Sequence, residues 1–136
     1  MQALGLDTLP AHAAKLVGTT LFEITIGMFR VDFRFVEEKM FVVKMKKAFL
    51  FRFPGEAALT FAADSASHDD QRESTRFVHL HQMRCCDVAV TPTRFQIDFD
   101  GGAALWVDHN VNDFEPYEYV GRPVNWNGEF DFYYVL

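Results

Sequence analysis

The chain has 136 residues, a formal net charge of −6 and a hydrophobic fraction of 49%. That length predicts one domain with its own core, and the hydrophobic fraction excludes an intrinsically disordered chain. No apolar run approaches the eighteen or so residues of a membrane helix, so no membrane span is expected. The N-terminus lacks a secretory pattern and the two adjacent cysteines make no disulfide framework, so a cytoplasmic protein is expected.

Charge is unevenly distributed along the chain. Residues 1–64 carry eight Lys/Arg and seven Asp/Glu, whereas residues 65–136 carry five and twelve. Affinity for nucleic acid depends on Lys and Arg, so the acidic second half predicts that no nucleic acid is bound. A local basic group beside phenylalanines could hold a single strand or protect strand edges. Its members are Arg34, Lys39, Lys44, Lys46, Lys47 and Arg52.

The first half begins with a short helix and continues as strands. Thr8-Leu9-Pro10 begins the predicted helix and Gly18 ends it. Apolar residues then alternate with polar ones, which is typical of strands with one buried face. These strands are predicted at residues 22–28, 31–35, 41–45, 48–53 and 57–62.

The pattern begins again after a polar segment at residues 63–76, which is predicted to be a surface loop, with a short capped helix from near Ser67 as the alternative. Residues 80–108 align with residues 16–44 without a gap, at an offset of 80 − 16 = 64. This alignment places Cys86 on the buried phase, at the position of Phe22. It also places Trp106 at the position of Val42, on the outward phase. The alignment therefore predicts two related β-meanders.

The tail adds a strand at residues 114–120 and a hairpin at residues 124–135, where Asn127-Gly128 fits a type I′ turn. The predicted fold is mainly β, α+β at the margin. Two related antiparallel β-meanders form a sandwich or partly open barrel with a short N-terminal helix. The predicted organisation is a single domain, 1–136, with an internal pseudo-repeat of residues 16–62 and 80–135 joined by the polar loop.

Several short motifs resemble those of a family of small uncharacterised bacterial domains with a doubled unit. They are Leu16-Val17-Gly18, the following TLFEITI strand, Phe99-Asp100-Gly101-Gly102 and residues 114–119. The similarity covers roughly residues 16–120. Gln82 departs from the pattern, because a second glycine is expected there, as does Pro116-Tyr117. The resemblance implies the fold and no catalytic residues.

Histidines and cysteines cluster near the start of the second unit. On a strand, His79 and His81 would share one face, and His and Cys are the ligands that zinc prefers. Neither a C-x-x-C nor an H-x-x-x-H spacing accompanies them, and a cysteine on a buried phase behaves as a small hydrophobe. These histidines are the candidate metal ligands, and no cofactor is predicted.

Outward-facing apolar and aromatic residues are better candidates for binding. Such groups are enriched at interfaces. The candidates are Val42 and Trp106 on the outward phase, with Tyr117, Tyr119 and Trp126 as amphipathic aromatics near the end of the chain. Two alternatives stay open for Val42 and Trp106, cover by the N-terminal helix or contact in a homodimer, with a ligand pocket third.

Acidic residues near the end of the chain are the other candidate contacts, namely Asp113, Glu115 and Glu118. The favoured hypothesis is a non-enzymatic protein-interaction module that binds a protein partner or forms a homodimer. One concrete form is an accessory or immunity-type protein that masks a basic partner. The alternative is a small-molecule-binding or metal-assisted enzyme that uses an aromatic-lined pocket.

Overall fold

A computed structural model of the chain describes residues 6–64, 73–108, 117–123 and 132–135. Within these residues the fold is mainly β, as the alternation predicts. Helix α1 is Leu9–Ala13, with 3-10 turns at Leu6–Thr8 and Ala14–Leu16, and a longer 3-10 helix covers Glu73–Leu80. The strands are β1 Thr20–Gly27, β2 Arg30–Val36, β3 Lys39–Met45, β4 Ala48–Arg52, β5 Leu59–Ala62, β6 Cys85–Thr91, β7 Arg94–Phe99, β8 Ala104–Asp108, β9 Tyr117–Pro123 and β10 Phe132–Val135.

The strands form two five-stranded antiparallel sheets that pack face to face. The first sheet has the order β1-β2-β3-β9-β10 and the second β5-β4-β8-β7-β6. Aromatic rings meet between the sheets: the Phe33 ring centroid lies 5.5 Å from that of Phe49, and Phe35 lies 6.2 Å from Phe99. In the part of the chain that is described, the sheets do not close into a barrel. The sandwich form of the predicted fold is therefore confirmed.

Each half of the chain completes the sheet of the other half. Strands β4 and β5 follow β3 in sequence, yet β4 pairs with β8 of the second sheet. Strands β9 and β10 follow β8, yet β9 pairs with β3 of the first sheet. The crossed hairpins tie the two halves together through backbone hydrogen bonds as well as through the core.

Edge strands β1 and β6 carry a β-bulge at the same place. The register shifts between Leu21 and Glu23 in β1 and between Cys85 and Asp87 in β6, which lie 64 residues further on. One extra residue in a strand reverses the alternation of its side chains. The prediction that Cys86 is buried is therefore wrong, since Cys85 is buried and Cys86 is exposed.

The gapless alignment holds through two strands and then shifts. Asp32 pairs with Lys44, whereas Gln96, 64 residues after Asp32, pairs with Trp106. In strand pairing Trp106 therefore corresponds to Lys44 and not to Val42. The turn between β7 and β8 comes earlier relative to its strands than the turn between β2 and β3, which a gapless alignment cannot represent. The duplication of one unit stays a prediction.

Two helical segments pack against the crossed hairpins. Beside β10, His12 of α1 stacks on Phe132 with 4.4 Å between ring centroids, and Thr8 and His12 both hydrogen-bond the Tyr134 hydroxyl. Beside β5, Phe77 of the Glu73–Leu80 helix lies 4.9 Å from Phe61. None of the helices in the described ranges is long and apolar enough to cross a membrane.

Three predicted features fall partly or wholly outside the described residues. The polar loop at residues 63–76 overlaps the 3-10 helix, because that helix already begins at Glu73. The strand predicted at residues 114–120 overlaps β9, which begins at Tyr117. Strand β9 pairs with β10 in a hairpin. The Asn127-Gly128 turn lies outside the described residues.

Candidate functional site

Trp106 lies on the outer face of the second sheet under two arginine side chains. The guanidinium of Arg94 is 5.3 Å and that of Arg52 is 5.8 Å from its ring centroid, and the residue is 7% exposed. Asp108 holds Arg94 in place by accepting hydrogen bonds from Nε at 2.6 Å and Nη2 at 3.3 Å. Trp106 therefore offers little surface to a partner.

Val42 lies on the outer face of the first sheet and is also buried. It forms a small apolar cluster with Met40 and Val120, and Phe22 packs against that cluster. The described N-terminal helix makes its ring and hydroxyl contacts elsewhere, with Phe132 and Tyr134. Of the two alternatives left open for Val42, cover by the N-terminal helix is therefore not supported by the described contacts.

The tyrosines predicted to lie at an interface are core residues. Tyr117 and Tyr119 have no exposed surface, because the odd-numbered residues of β9 face the second sheet. Their rings lie 5.1 and 5.6 Å from that of Phe95. The Tyr119 hydroxyl donates to the His12 carbonyl at 2.9 Å. Burial raises the pKa of Tyr119 well above its usual value, as expected for a neutral hydroxyl in an apolar core.

The acidic candidates are only partly described. Asp113 and Glu115 lie outside the described residues, as does Trp126. Glu118 is described, and its carboxylate lies 3.3 Å from Lys46 Nζ and 4.0 Å from Lys44 Nζ. Its charge is therefore compensated within the chain, which weakens its case as a contact for a basic partner.

Lys44 also faces a buried carboxylate on the outer face of β2. Asp32 is 1% exposed, with Oδ1 3.1 Å from Arg30 Nε and Oδ2 3.3 Å from Arg34 Nη2. Burial raises the pKa of Asp32 above its usual value, although the neighbouring arginines lower it. The carboxylate is enclosed by its own chain, so a substrate could not reach it.

The two histidines proposed as metal ligands point in different directions. His79 lies in the last turn of the Glu73–Leu80 3-10 helix and His81 in the turn that follows it, so the strand alternation that would place them on one face does not apply. His79 packs edge-on to Phe53, while His81 Nε2 donates to the Phe22 carbonyl at 2.7 Å. Among the described residues no three His, Cys, Asp or Glu side chains come together to hold a metal. Burial raises the pKa of the Cys85 thiol to about 12, so this thiol is not a nucleophile at neutral pH.

The most accessible apolar surface lies along β1, whose residues are not among the predicted binding residues. In the described part of the chain the exposed large hydrophobic residues are Val17, Ile26, Met28, Phe29 and Val78. Ile26 ends β1, and Met28 and Phe29 form the turn that follows it, with 70% and 52% of their surface exposed. Exposed apolar groups that cluster on one surface mark sites of association.

A groove runs between β1 and the Glu73–Leu80 helix. It has a volume of about 330 Å³ and is lined by Phe22, Glu23, Ile24, Val78 and His81. On the opposite edge of the sandwich, α1 and the following 3-10 turn pack along β6. The Glu73–Leu80 helix instead packs on β5, and this difference leaves the groove open beside β1.

Among the described residues, no strand pairs with the outer side of β1 beyond the bulge. Leu21 N–H donates to the Met83 carbonyl at 2.9 Å, and Gln82 N–H donates to the Leu21 carbonyl at 2.6 Å, so the first residues of β1 are covered. Further along, Gly27 pairs with Arg30 across the turn. Because antiparallel hydrogen bonds alternate, the N–H and C=O of Ile24 and Ile26 then point away from β2. We call this edge, the groove and the Met28-Phe29 turn the β1 edge surface.

Phe29 has a backbone conformation that supports a special role for the turn. Its φ is +64°, a left-handed value that is uncommon for residues other than glycine and for a bulky residue is a true outlier. Such strain persists where the surrounding structure or function requires it. The sequence signal was present: Ile26-Gly27-Met28-Phe29 is a hairpin turn made almost entirely of apolar residues.

Comparison of the chain with protein-family models, with curated proteins and with solved structures gave no match.

Proposed function

We propose that the protein is a non-enzymatic, cytoplasmic protein-interaction module whose binding surface is the β1 edge surface. The observation that carries the proposal is the exposure of Ile26, Met28 and Phe29 beside an unpaired strand edge. Sheet edges with free backbone groups bind extended segments of other chains by adding a strand. Folded proteins usually protect such edges with lysine, proline or a covering element. None of these three protections is found on β1 beyond its bulge in the described structure.

This proposal changes the residues expected to bind and keeps the class of function. Trp106 and Val42 are covered, Tyr117 and Tyr119 are buried, and Glu118 is paired with two lysines. The β1 edge surface is the remaining large apolar surface among the described residues. Among the described residues that line its groove, Glu23 is the one Asp, Glu, Lys or Arg, so a partner would contribute mainly backbone hydrogen bonds and apolar contact. We expect no nucleic-acid partner, because this surface offers no cluster of cations to phosphate groups.

Site-specific photo-crosslinking tests the proposal. A benzophenone side chain replaces Phe29. A matched variant carries the same group in place of Thr60, an exposed residue on β5, which is an edge strand of the second sheet. The proteins are irradiated in an extract of the cells that produce them, and products are identified by mass spectrometry. A crosslink to another protein chain, self or foreign, at position 29 and not at 60 is expected. If position 29 forms only intramolecular crosslinks, within a single copy of the protein, the proposal is refuted.

Small-molecule binding is a second candidate, supported by a separate groove. This groove has a volume of about 490 Å³, within the usual range for ligand sites, and is lined by Lys15, Thr19, Glu37, Glu38, Lys39 and Phe41. Its charged walls and aromatic floor suit a small polar ligand. Native mass spectrometry of the freshly purified protein tests this candidate. A retained small molecule whose binding is lost in Lys15→Ala would support it, and a ligand-free mass would not.

A further inference from the structure

We propose that the chain bound at the β1 edge surface is a second copy of this protein, with β1 antiparallel to β1 about a twofold axis at Thr25. This inference rests on the proposed function, because it names the partner of the same surface. It predicts that the two first sheets join into one continuous sheet of ten strands. Both copies then use the same surface, which is the geometry of an isologous dimer.

The free backbone groups determine the register. With Thr25 opposite Thr25, Ile24 of each copy faces Ile26 of the other, and all the outward N–H and C=O groups of these residues pair. A shift of one step towards the start of β1 would pair Ile26 with Phe22, whose carbonyl already accepts a hydrogen bond from His81. A shift in the other direction would pair Ile24 with Met28, which lies in the turn. The Thr25 register alone uses every free group within the strand.

The charges of the two copies are complementary in this register. Glu23 of one copy lies opposite Gly27 of the other, and Gly27 pairs with Arg30 on the far side. The side chains of Glu23 and Arg30 are 51% and 50% exposed, on the same outer face. Glu23 and Arg30 each have one ion-pair partner in their own chain, and an exposed carboxylate or guanidinium can form a second ion pair.

The dimer explains a glycine at position 27 better than the contacts within a single chain do. Its φ is not left-handed, and a Cβ there would meet only the Arg30 carbonyl oxygen, at 3.7 Å. Neither the turn nor the packing of the single chain therefore requires glycine at this position. Without a side chain, residue 27 leaves a path over which Arg30 can reach Glu23 of the second copy.

The side chains on the inner face agree with the same register. Ile24 and Ile26 lie on the phase that faces the second sheet, where they pair with Phe33 and Val31 of β2. Cross-strand contact of Ile24 with Ile26, made twice by symmetry, would cover the 42% of Ile26 that is now exposed. A Thr–Thr pair directly opposite is also a favourable cross-strand contact. Backbone, charge and apolar contacts thus select one register.

Disulfide trapping tests both the partner and the register. Thr25→Cys and Glu23→Cys are each made in a Cys86→Ala background, which leaves only the buried Cys85. Directly opposite residues in a non-hydrogen-bonded pair have Cα atoms about 4.5 Å apart, which a disulfide can bridge. We expect Thr25→Cys to form a covalent dimer at least tenfold faster than Glu23→Cys. Equal rates would overturn the register.

Sedimentation of the unmodified protein gives the oligomeric state independently. We expect a dimer that Ile26→Lys dissociates, with at least a tenfold rise in dissociation constant, while Thr60→Lys on the β5 edge leaves the dimer unchanged. Circular dichroism of each variant checks that it is folded. A monomer at all concentrations overturns the inference. If position 29 nevertheless crosslinks to a foreign protein, the proposed function stands without the dimer; if it crosslinks to nothing, both fail.

Discussion

Gly18 and Gln82, which are 82 − 18 = 64 residues apart, have the same left-handed backbone conformation and make mirrored hydrogen bonds. Their φ values are +91° and +71°. Gly18 N–H donates to the Cys85 carbonyl at 2.8 Å, and Gln82 N–H donates to the Leu21 carbonyl at 2.6 Å. Together with the Thr20–Arg84 bridge, these bonds relate the starts of β1 and β6 by an approximate twofold axis. Gln82 therefore stands where the backbone favours glycine.

Gln82→Gly should stabilise the protein. A residue with a Cβ is destabilised by about 1 kcal/mol in the left-handed region. Glycine avoids this penalty, but it also increases the conformational entropy of the unfolded chain, which offsets part of the gain. We expect a gain of about 0.5 kcal/mol in unfolding free energy, measured by urea titration. The matched control Gly18→Gln should lose a similar amount, about 0.5 kcal/mol, because the nearest atoms to a Cβ there are at ordinary contact distance and the same two contributions apply with opposite sign. A Gln82→Gly variant less stable than the parent would contradict this account.

Phe77→Ala should be among the most destabilising single changes. The Phe77 ring lies within 5.8 Å of four other rings, those of Phe33, Phe49, Phe51 and Phe61. Truncation leaves a cavity between sheet and helix, with an expected loss of about 3–5 kcal/mol. The neighbouring Val78→Ala should change unfolding free energy by less than about 0.5 kcal/mol, because Val78 is largely exposed. Equal effects of the two variants in urea titrations would argue against the packing described.

Gly121→Ala should be destabilising for a steric reason. Gly121 pairs with Phe132 across β9 and β10, and a Cβ there would overlap the Phe132 ring. We expect a loss of about 1–3 kcal/mol from overpacking, measured by thermal and urea unfolding. Gly27→Ala is the matched control, since its Cβ would make only an ordinary contact, 3.7 Å from the Arg30 carbonyl oxygen; it should be close to neutral at protein concentrations where the chain is monomeric. A neutral Gly121→Ala would mean that Phe132 can move away.

Asp32→Asn should raise stability in a pH-dependent manner. Burial holds the pKa of Asp32 above its usual 3.8 in the folded state, so the unfolded chain loses this proton at a lower pH than the folded chain. The contribution of Asp32 to stability is therefore complete below pH 3.8 and is lost as the pH rises through the folded pKa. The gain from Asp32→Asn should be absent in acid and constant once both states are ionised. A loss of stability at neutral pH would show that the ion pairs with Arg30 and Arg34 outweigh burial.

Thiol titration should count one reactive cysteine in the folded protein and two in urea. Cys86 is exposed, whereas Cys85 is buried and the pKa of its thiol is raised to about 12. Because the thiolate is the reacting species, Cys85 should react only through unfolding. Cys86→Ala should show no fast-reacting thiol under native conditions. Rapid modification of both thiols would refute the bulge at this position.

The strands themselves could be predicted because their alternation is a local property. Phe95, Ile97 and Phe99 are buried as their spacing indicates. The bulge at Phe22 and Cys86 could not be predicted in this way, because an extra residue in an edge strand leaves no mark in the residue types. Nor could the pairing of β4 with β8, since periodicity tells which face of a strand is apolar and not which strand lies beside it.

The exposure of the candidate binding residues could not be predicted for the same reason, because a local pattern does not show which strand lies at a sheet edge. Tyr117 and Tyr119 have amphipathic side chains that suit either an interface or a core with a hydrogen-bond acceptor, and the His12 carbonyl supplies that acceptor for Tyr119. Ile24 and Ile26 were correctly placed on an apolar face, but their exposure depends on β1 being the last strand of its sheet. Edge position is a property of the whole topology and is absent from any single stretch of sequence.

The crossed hairpins also bear on how the protein is made. During synthesis β3 and β4 leave the ribosome long before β8 and β9, the strands with which they pair. Until the second half follows, the first half has two further unpaired edges that carry Phe41, Val43, Phe49 and Phe51. Pairings so distant in sequence form slowly, and exposed edges of this kind favour aggregation. A nascent chain arrested at mid-length would therefore depend on chaperones, and the native state becomes attainable only when the last strand has been translated.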